Sequence, residues 1–144
     1  SRNYRGGYEM SKTYSCSQIT KGKVECAEAL VSKDAICFYL VEPDTGVVKE
    51  RNHDALGKSV VGKVLIMPSG KGSSVVQLDG LYKLMMRSNG PAAIVVQEAD
   101  TVLVAAVAAM EMPMVHRVDP EFFAAVKTGD QIALDADQGT ITIL

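Results

Sequence analysis

After Lys63 the spacing of apolar residues changes, and this change limits the fold more than any other feature of the chain. Val64 to Met67 is a short apolar run closed by Pro68, which suits a buried strand. Val75, Leu78, Leu81, Tyr82 and Met85 then recur at helical spacing, with Gln77, Lys83 and Arg87 assigned to the opposite, polar side. Asp79 and Lys83 stand one helical turn apart in the favourable order. Asn89-Gly90-Pro91 stops the helix, and Ala92 to Val96 forms the next buried strand. A strand-helix-strand unit of this kind predicts parallel pairing with a right-handed crossover.

The remaining segments predict a β-rich first part and a terminal hairpin. Val24, Cys26, Ala29 and Val31, then Ile36, Phe38 and Leu40, read as short strands separated by Ser32-Lys33-Asp34. Pro43-Asp44-Thr45-Gly46 is a turn, Val47-Val48 starts another strand, and Asn52-His53-Asp54 is a loop in which His53 is expected to be solvated. Asp100 caps an alanine-rich helix running through Met110, apolar on nearly every face and so expected to be sandwiched. Met114-Val115-His116 is a short strand, Asp119-Pro120 opens a helix through Val126, and Gln131 to Leu134 pairs with Thr140 to Leu144. Residues 1–12 read as a flexible tail or an expression remnant, with Met10 as a native start. Residues 13–144 then form one mixed α/β domain.

Composition excludes several function classes. The formal charge is −2 and the isoelectric point about 5.7, so nucleic acid is a poor partner. The longest apolar run, Thr101 to Met110, is about half of the roughly 20 residues that span a bilayer, so no membrane partner is expected. No apolar segment follows the basic residues near the start, so no secretory signal is expected. Cys16, Cys26 and Cys37 include no C-x-x-C pair and are odd in number, which points to reduced thiols in a cytoplasmic protein, at least one of them buried. With only His53 and His116 to assist, no metal site is expected within the chain, and His116 reads as structural rather than catalytic. Met67, Met85, Met86, Met110, Met112 and Met114 read as core filler, though Met85 and Met86 with Tyr82 could border a partner surface.

Chemistry concentrates in Pro68-Ser69-Gly70-Lys71-Gly72-Ser73-Ser74, between the strand and the helix. Gly70 and Gly72 allow a tight turn, Ser73 or Ser74 caps the helix, and the unpaired N–H groups there suit an anion. The spacing does not fit a phosphate loop, a dinucleotide fingerprint or a serine hydrolase elbow. Two readings stay open: a capped turn, or a site in which Ser73 or Ser74 moves a proton or the helix start holds a carboxylate or phosphate. Poising a hydroxyl with a pKa of roughly 15.7 as a base near 7 requires about 12 kcal/mol. A helix terminus supplies at most about 2 kcal/mol, so a partner must contribute.

Lys21-Gly22-Lys23, Glu28 to Ser32, Asp44-Thr45-Gly46, Gly57 to Lys63 and Pro68 to Ser74 together resemble the small subunit of aconitase X. The likeness continues through Gly90 to Ile94, Met112 to Val115 and Lys127 to Asp130, from Ile19 to Leu144. It implies a swivelling β/β/α domain similar to the mobile domain of aconitase, closing over an iron-sulfur site on a large subunit. It further implies removal of water from a small hydroxy acid, of the mevalonate 5-phosphate or cis-3-hydroxy-L-proline class. Ser73 takes the position of the family's proton acceptor, with Ser74 as the neighbouring alternative, and cluster ligands belong to the large subunit. Gly70, Lys71, Gly72 and Ser74 are the expected anion-binding residues, the role of Lys71 being inferred from its charge. Val75 to Asp79 and Leu40-Val41 depart from the family pattern in the loop that would shape a substrate pocket. A non-enzymatic swivelling adaptor for an anionic ligand is the competing reading. A phosphotransfer carrier is a third, for which neither His53 nor His116 is well placed.

Overall fold

A computed structural model of the chain describes residues 3–5, 8–71 and 74–144, with the backbone alone for residues 3–5, 8–10 and 74. The predicted strand-helix-strand unit is present: β8 (Val64–Met67), α1 (Ser74–Met86) and β9 (Ala93–Val96), with β8 and β9 parallel. They follow β5 (Lys23–Val31) and precede β10 (Met114–His116) in space, so that β5, β8, β9 and β10 form four parallel neighbours. β11 (Gln131–Asp135) and β12 (Thr140–Ile143) make the predicted hairpin, and β11 lies antiparallel to β5.

Two strands were not anticipated. β3 (Lys12–Ser15) pairs with β12, and β4 (Ser17–Thr20) pairs with β10, which places them at opposite edges of an eight-stranded sheet. Cys16 alone separates them in sequence, and two Cα–Cα steps reach at most roughly 7.6 Å. The sheet must therefore curl until its edges meet at one bent strand, which limits the open edge available for unwanted pairing. Residues 1–12, expected to be a tail, contain β1 (Asn3–Arg5) and β2 (Tyr8–Met10), an antiparallel pair separate from this sheet.

Alternation along the strands sorts side chains into two cores. Ala29, Val64, Ile66, Ala93 and Val95 point into the curled sheet with Ile132, Leu134, Ile141 and Ile143, where Phe122 of α3 (Pro120–Ala125) meets Tyr14 edge-on at 5.6 Å. Leu30, Leu65, Met67, Ile94 and Val96 point outward beneath α1 and α2 (Thr101–Ala109). Each fully buried aliphatic side chain contributes roughly 1.5 to 3 kcal/mol, so these facing rows fix the register.

Four expectations need correction. Ile36 to Leu40 is not a strand: Phe38–Leu40 is a turn of 3₁₀ helix, and Ile36 and Phe38 are buried beneath α1. The buried face of α1 is rotated from the expected one. Gln77, Leu81 and Leu84 are fully buried, while Val75, Leu78 and Tyr82 are 75%, 41% and 49% exposed. The reason is that the Gln77 amide accepts the Phe38 N–H at 2.8 Å and lies 3.4 Å from the Ile36 carbonyl, to which it donates. Gly80 lets the two backbones meet, since a Cβ there would lie 2.5 Å from both the Phe38 carbonyl carbon and the Tyr39 nitrogen. α2 is not sandwiched; Leu103, Ala106 and Val107 are buried and Ala105, Ala108 and Ala109 are exposed. The α1 helix ends at Met86, ahead of the expected stop at Asn89-Gly90-Pro91: Ser88, in the turn that follows, adopts a φ of 57° while the Asn89 N–H returns to the Leu84 carbonyl at 2.9 Å. A short hairpin of β6 (Val41–Glu42) and β7 (Val47–Val48) spans the predicted turn.

Candidate functional site

Because β5, β8, β9 and β10 run parallel, the loops that follow them emerge at one edge of the sheet, where open α/β sheets usually bind ligands. The glycine loop after β8 is one of them, and it is tied to its neighbours. The Pro68 carbonyl accepts the N–H groups of Gln97 at 3.2 Å and Glu98 at 3.1 Å, from the segment after β9. That segment ends at Asp100, whose Oδ1 caps α2 by accepting the Leu103 N–H at 3.0 Å. The other carboxylate oxygen, Oδ2, is buried and without a hydrogen-bond partner among the described residues. It is aimed at Gly70, where a Cβ would come within 1.9 Å of it.

On the other side of the loop, the Lys71 ammonium donates to the Glu50 carboxylate Oε2. That hydrogen bond is the largest influence and holds Lys71 above its ordinary value; burial, next in size, opposes it, and the charges of Glu50, Cys37 and Asp34 add to the rise. Glu50 Oε1 is buried and unpartnered among the described residues. An exposed ion pair returns roughly 0 to 1 kcal/mol, whereas a buried oxygen left without a donor costs about 1 to 3 kcal/mol. Stability therefore does not account for the arrangement of this pair.

The base under Glu50 is braced. Asp34 Oδ2 accepts the Asp54 N–H at 2.9 Å and Asp54 Oδ2 accepts the Lys33 N–H at 2.8 Å, joining the loop after β5 to the loop after β7. His53, expected in solvent, is buried at 7% exposure between these loops. Its Nε2 lies 2.8 Å from the Ala35 carbonyl and its Nδ1 accepts the Ala55 N–H at 2.9 Å, which fixes the tautomer with the proton on Nε2. The expectation failed because the ring replaces backbone partners that neither loop has alone.

Two clefts open along the same edge. One, of about 240 Å³, lies between Ser32, Lys33, Pro68, Gln97 and Phe123. The other, of about 450 Å³, is bordered by Glu98, His116 and Arg117 and shares Gln97 with the first. His116 is held below its ordinary value, first by burial and then by the Arg117 charge.

Of the residues singled out from sequence, Gly70 and Lys71 lie at this edge, and Ser74 opens α1. Gly72 and Ser73 lie outside the described residues, as does the side chain of Ser74, so the proposed cap falls there too. Glu50 and the unpartnered oxygen of Asp100 were not found by sequence reasoning, and His53 was named there only as a solvated loop residue. Each acts across at least 18 residues of chain, beyond the reach of local spacing. Among the described residues no three His, Cys, Asp or Glu side chains converge on a common point. The three thiols are free, with Cys37 buried, Cys16 half-buried and Cys26 exposed. Among the described residues no helix is long and apolar enough to cross a membrane.

The model of the aconitase X swivel domain matches residues 13–143. The phosphomevalonate dehydratase small subunit of Archaeoglobus fulgidus is 40% identical over 135 residues, covering 91% of this chain and 98% of that protein. Its counterpart in Thermococcus kodakarensis is 38% identical, covering 88% and 92%. The crystal structure of Thermococcus kodakaraensis aconitase X in its holo-form matches with a TM-score of 0.83 at 35% identity, covering 92% of this chain and 98% of that one. A curled mixed sheet with helices on one outer face, and a close match along nearly the whole chain, lead to one conclusion: this protein belongs to the aconitase X swivel-domain family.

Proposed function

We propose that this chain is the small subunit of a phosphomevalonate dehydratase, supplying half of a site that removes water from mevalonate 5-phosphate. The observation that carries this reading is the 40% identity to the Archaeoglobus fulgidus small subunit across 98% of its length. The loop from Gly70 to Ser74 faces a large subunit, in the cytoplasm. Ser73 accepts the proton lost from carbon as the carbon–oxygen bond breaks and water leaves. Gly70, Lys71, Gly72 and Ser74 hold the anionic part of the substrate at the start of α1.

The large subunit carries an iron-sulfur cluster, a reading supported by the match of this chain to the aconitase X swivel domain. When bound, such a cluster supplies a Lewis acid for the leaving hydroxyl. Lys71 is already paired with Glu50, so its field at Ser73 is reduced and the large subunit must supply more of the roughly 12 kcal/mol that a serine base requires. The isolated chain is therefore inactive.

Anaerobic co-purification with the large subunit, followed by an assay on mevalonate 5-phosphate and on cis-3-hydroxy-L-proline, tests the reading. Dehydration of the first substrate is expected only in the complex, with Ser73→Ala reducing turnover roughly 10²- to 10⁴-fold. Full turnover in Ser73→Ala removes that residue from its role. Selective turnover of the hydroxyproline corrects the substrate, and anion binding without dehydration supports an adaptor instead.

A further inference from the structure

We propose that Glu50 is a positioning residue for the dehydration: it holds the Lys71 ammonium in place at the mouth of the glycine loop. The inference rests on the reading of Gly70 to Ser74 as half of the active site, and three observations carry it. Lys71 belongs to the loop after β8, while Glu50 belongs to the segment after β7, so the pair spans two elements that are far apart in sequence. The segment bearing Glu50 is fixed by its backbone: the Lys49 N–H donates to the Leu40 carbonyl at 2.9 Å and the Gly57 N–H to the Val48 carbonyl at 2.9 Å. The Glu50 side chain is only 19% exposed, and its second oxygen is buried without a donor among the described residues. Such an oxygen costs more than an exposed ion pair returns, so folding alone gives no reason for this carboxylate to sit here. A rigidly held acceptor that fixes a cation beside a reactive loop is what a preorganised site requires.

Among the described residues, the charged and titratable groups acting on Lys71 are Glu50, Asp34 and Cys37, and Glu50 acts on it most strongly. Removing the Glu50 charge must therefore loosen Lys71 and make it lose its proton at lower pH. In the complex with the large subunit, Glu50→Gln is expected to lower kcat/KM about tenfold and to move the high-pH limb of its profile to lower pH. Lys71→Met is expected to give a similar loss, and Glu50→Gln combined with Lys71→Met to be no worse than Lys71→Met alone, since the two residues act as a unit. An unchanged kcat/KM and pH profile in Glu50→Gln, or losses that multiply in the double variant, overturn the proposal.

A nitrogen-detected NMR titration of the Lys71 side chain in the uncomplexed full chain separates this inference from the functional reading. A lower titration midpoint in Glu50→Gln supports the hold on Lys71, and an unchanged midpoint overturns it, whatever substrate the complex accepts. Failure of the wild-type complex to dehydrate mevalonate 5-phosphate counts against the functional reading alone.

Discussion

Gly70 packs against Asp100 so closely that a Cβ at Gly70 would lie 1.9 Å from Asp100 Oδ2 and 2.8 Å from the Leu103 Cβ. This contact joins the loop after β8 to the first turn of α2, and it explains the glycine better than any need for an unusual backbone angle. Gly70→Ala is expected to destabilise the chain by about 1 to 3 kcal/mol, because Asp100 is held by its cap on Leu103 and cannot simply turn away. Asp100→Ala relieves the clash but removes the cap, at a cost of roughly 0.5 to 2 kcal/mol. Chemical denaturation of both single variants and the double variant checks this. The double variant should be more stable than the sum of the two single losses, and strict additivity would show that Gly70 and Asp100 do not interact.

The seat of α1 on the 3₁₀ turn gives a second prediction. Gln77→Leu leaves the buried Phe38 N–H without its acceptor and is expected to cost about 1 to 3 kcal/mol. Gly80→Ala brings a methyl within 2.5 Å of backbone atoms, which cannot rotate out of the way, and should cost at least as much. Val75→Ala, at a position 75% exposed, should stay within about 0.5 kcal/mol of the wild type. Thermal unfolding of the three variants ranks them. A severe loss in Val75→Ala with none in Gln77→Leu would restore the helix orientation expected from apolar spacing.

That reversal shows where the sequence stops being informative. The strand-helix-strand unit was legible because its strands are continuous apolar runs and its boundaries are set by neighbours such as Pro68 and Pro91. The orientation of α1 was not, since Gln77 is buried by an acceptor role toward a backbone 39 residues away. β3 and β4 were missed for a related reason. Apart from Tyr14, neither strand has a fully buried apolar residue, and both are defined by the partners they pair with. At the site, the turn residues Gly70 and Lys71 announced a close approach and a charge. Asp100 and Glu50, which give those features their meaning, became visible only once the fold brought distant loops together.

Cysteine reactivity should follow burial and charge. The Cys16 thiol is pushed up to about 11 by burial, with the Asp135 carboxylate adding to the effect. At pH 8 only about one molecule in a thousand then carries the Cys16 thiolate that an alkylating agent attacks. Cys37 is buried, whereas Cys26 is exposed and its Sγ lies 3.2 Å from Gln131 Oε1. Timed iodoacetamide labelling with peptide mass spectrometry is expected to modify Cys26 first, and Cys16 and Cys37 only as the protein unfolds. Early labelling at Cys16 would contradict its placement between β3 and β4.

His116 gives the chain a dependence on acidity whose sign follows from its surroundings. Burial, and then the neighbouring Arg117, disfavour the charged imidazolium in the folded state, so folded His116 takes up its proton at lower pH than the unfolded chain. The unfolded value lies near 6.5, and above it both states are neutral and the ring adds no slope to stability. As the pH falls through and below that value the unfolded chain binds the proton first, and stability declines until the folded ring is protonated too. His116→Asn removes this contribution without removing the side chain's polarity. The melting temperature of the variant should therefore fall less than that of the wild type between pH 7 and pH 5, while the two remain similar above pH 7. Equal slopes below pH 6.5 would mean that the cleft beside Arg117 is open enough to hydrate the ring as water does in the unfolded chain.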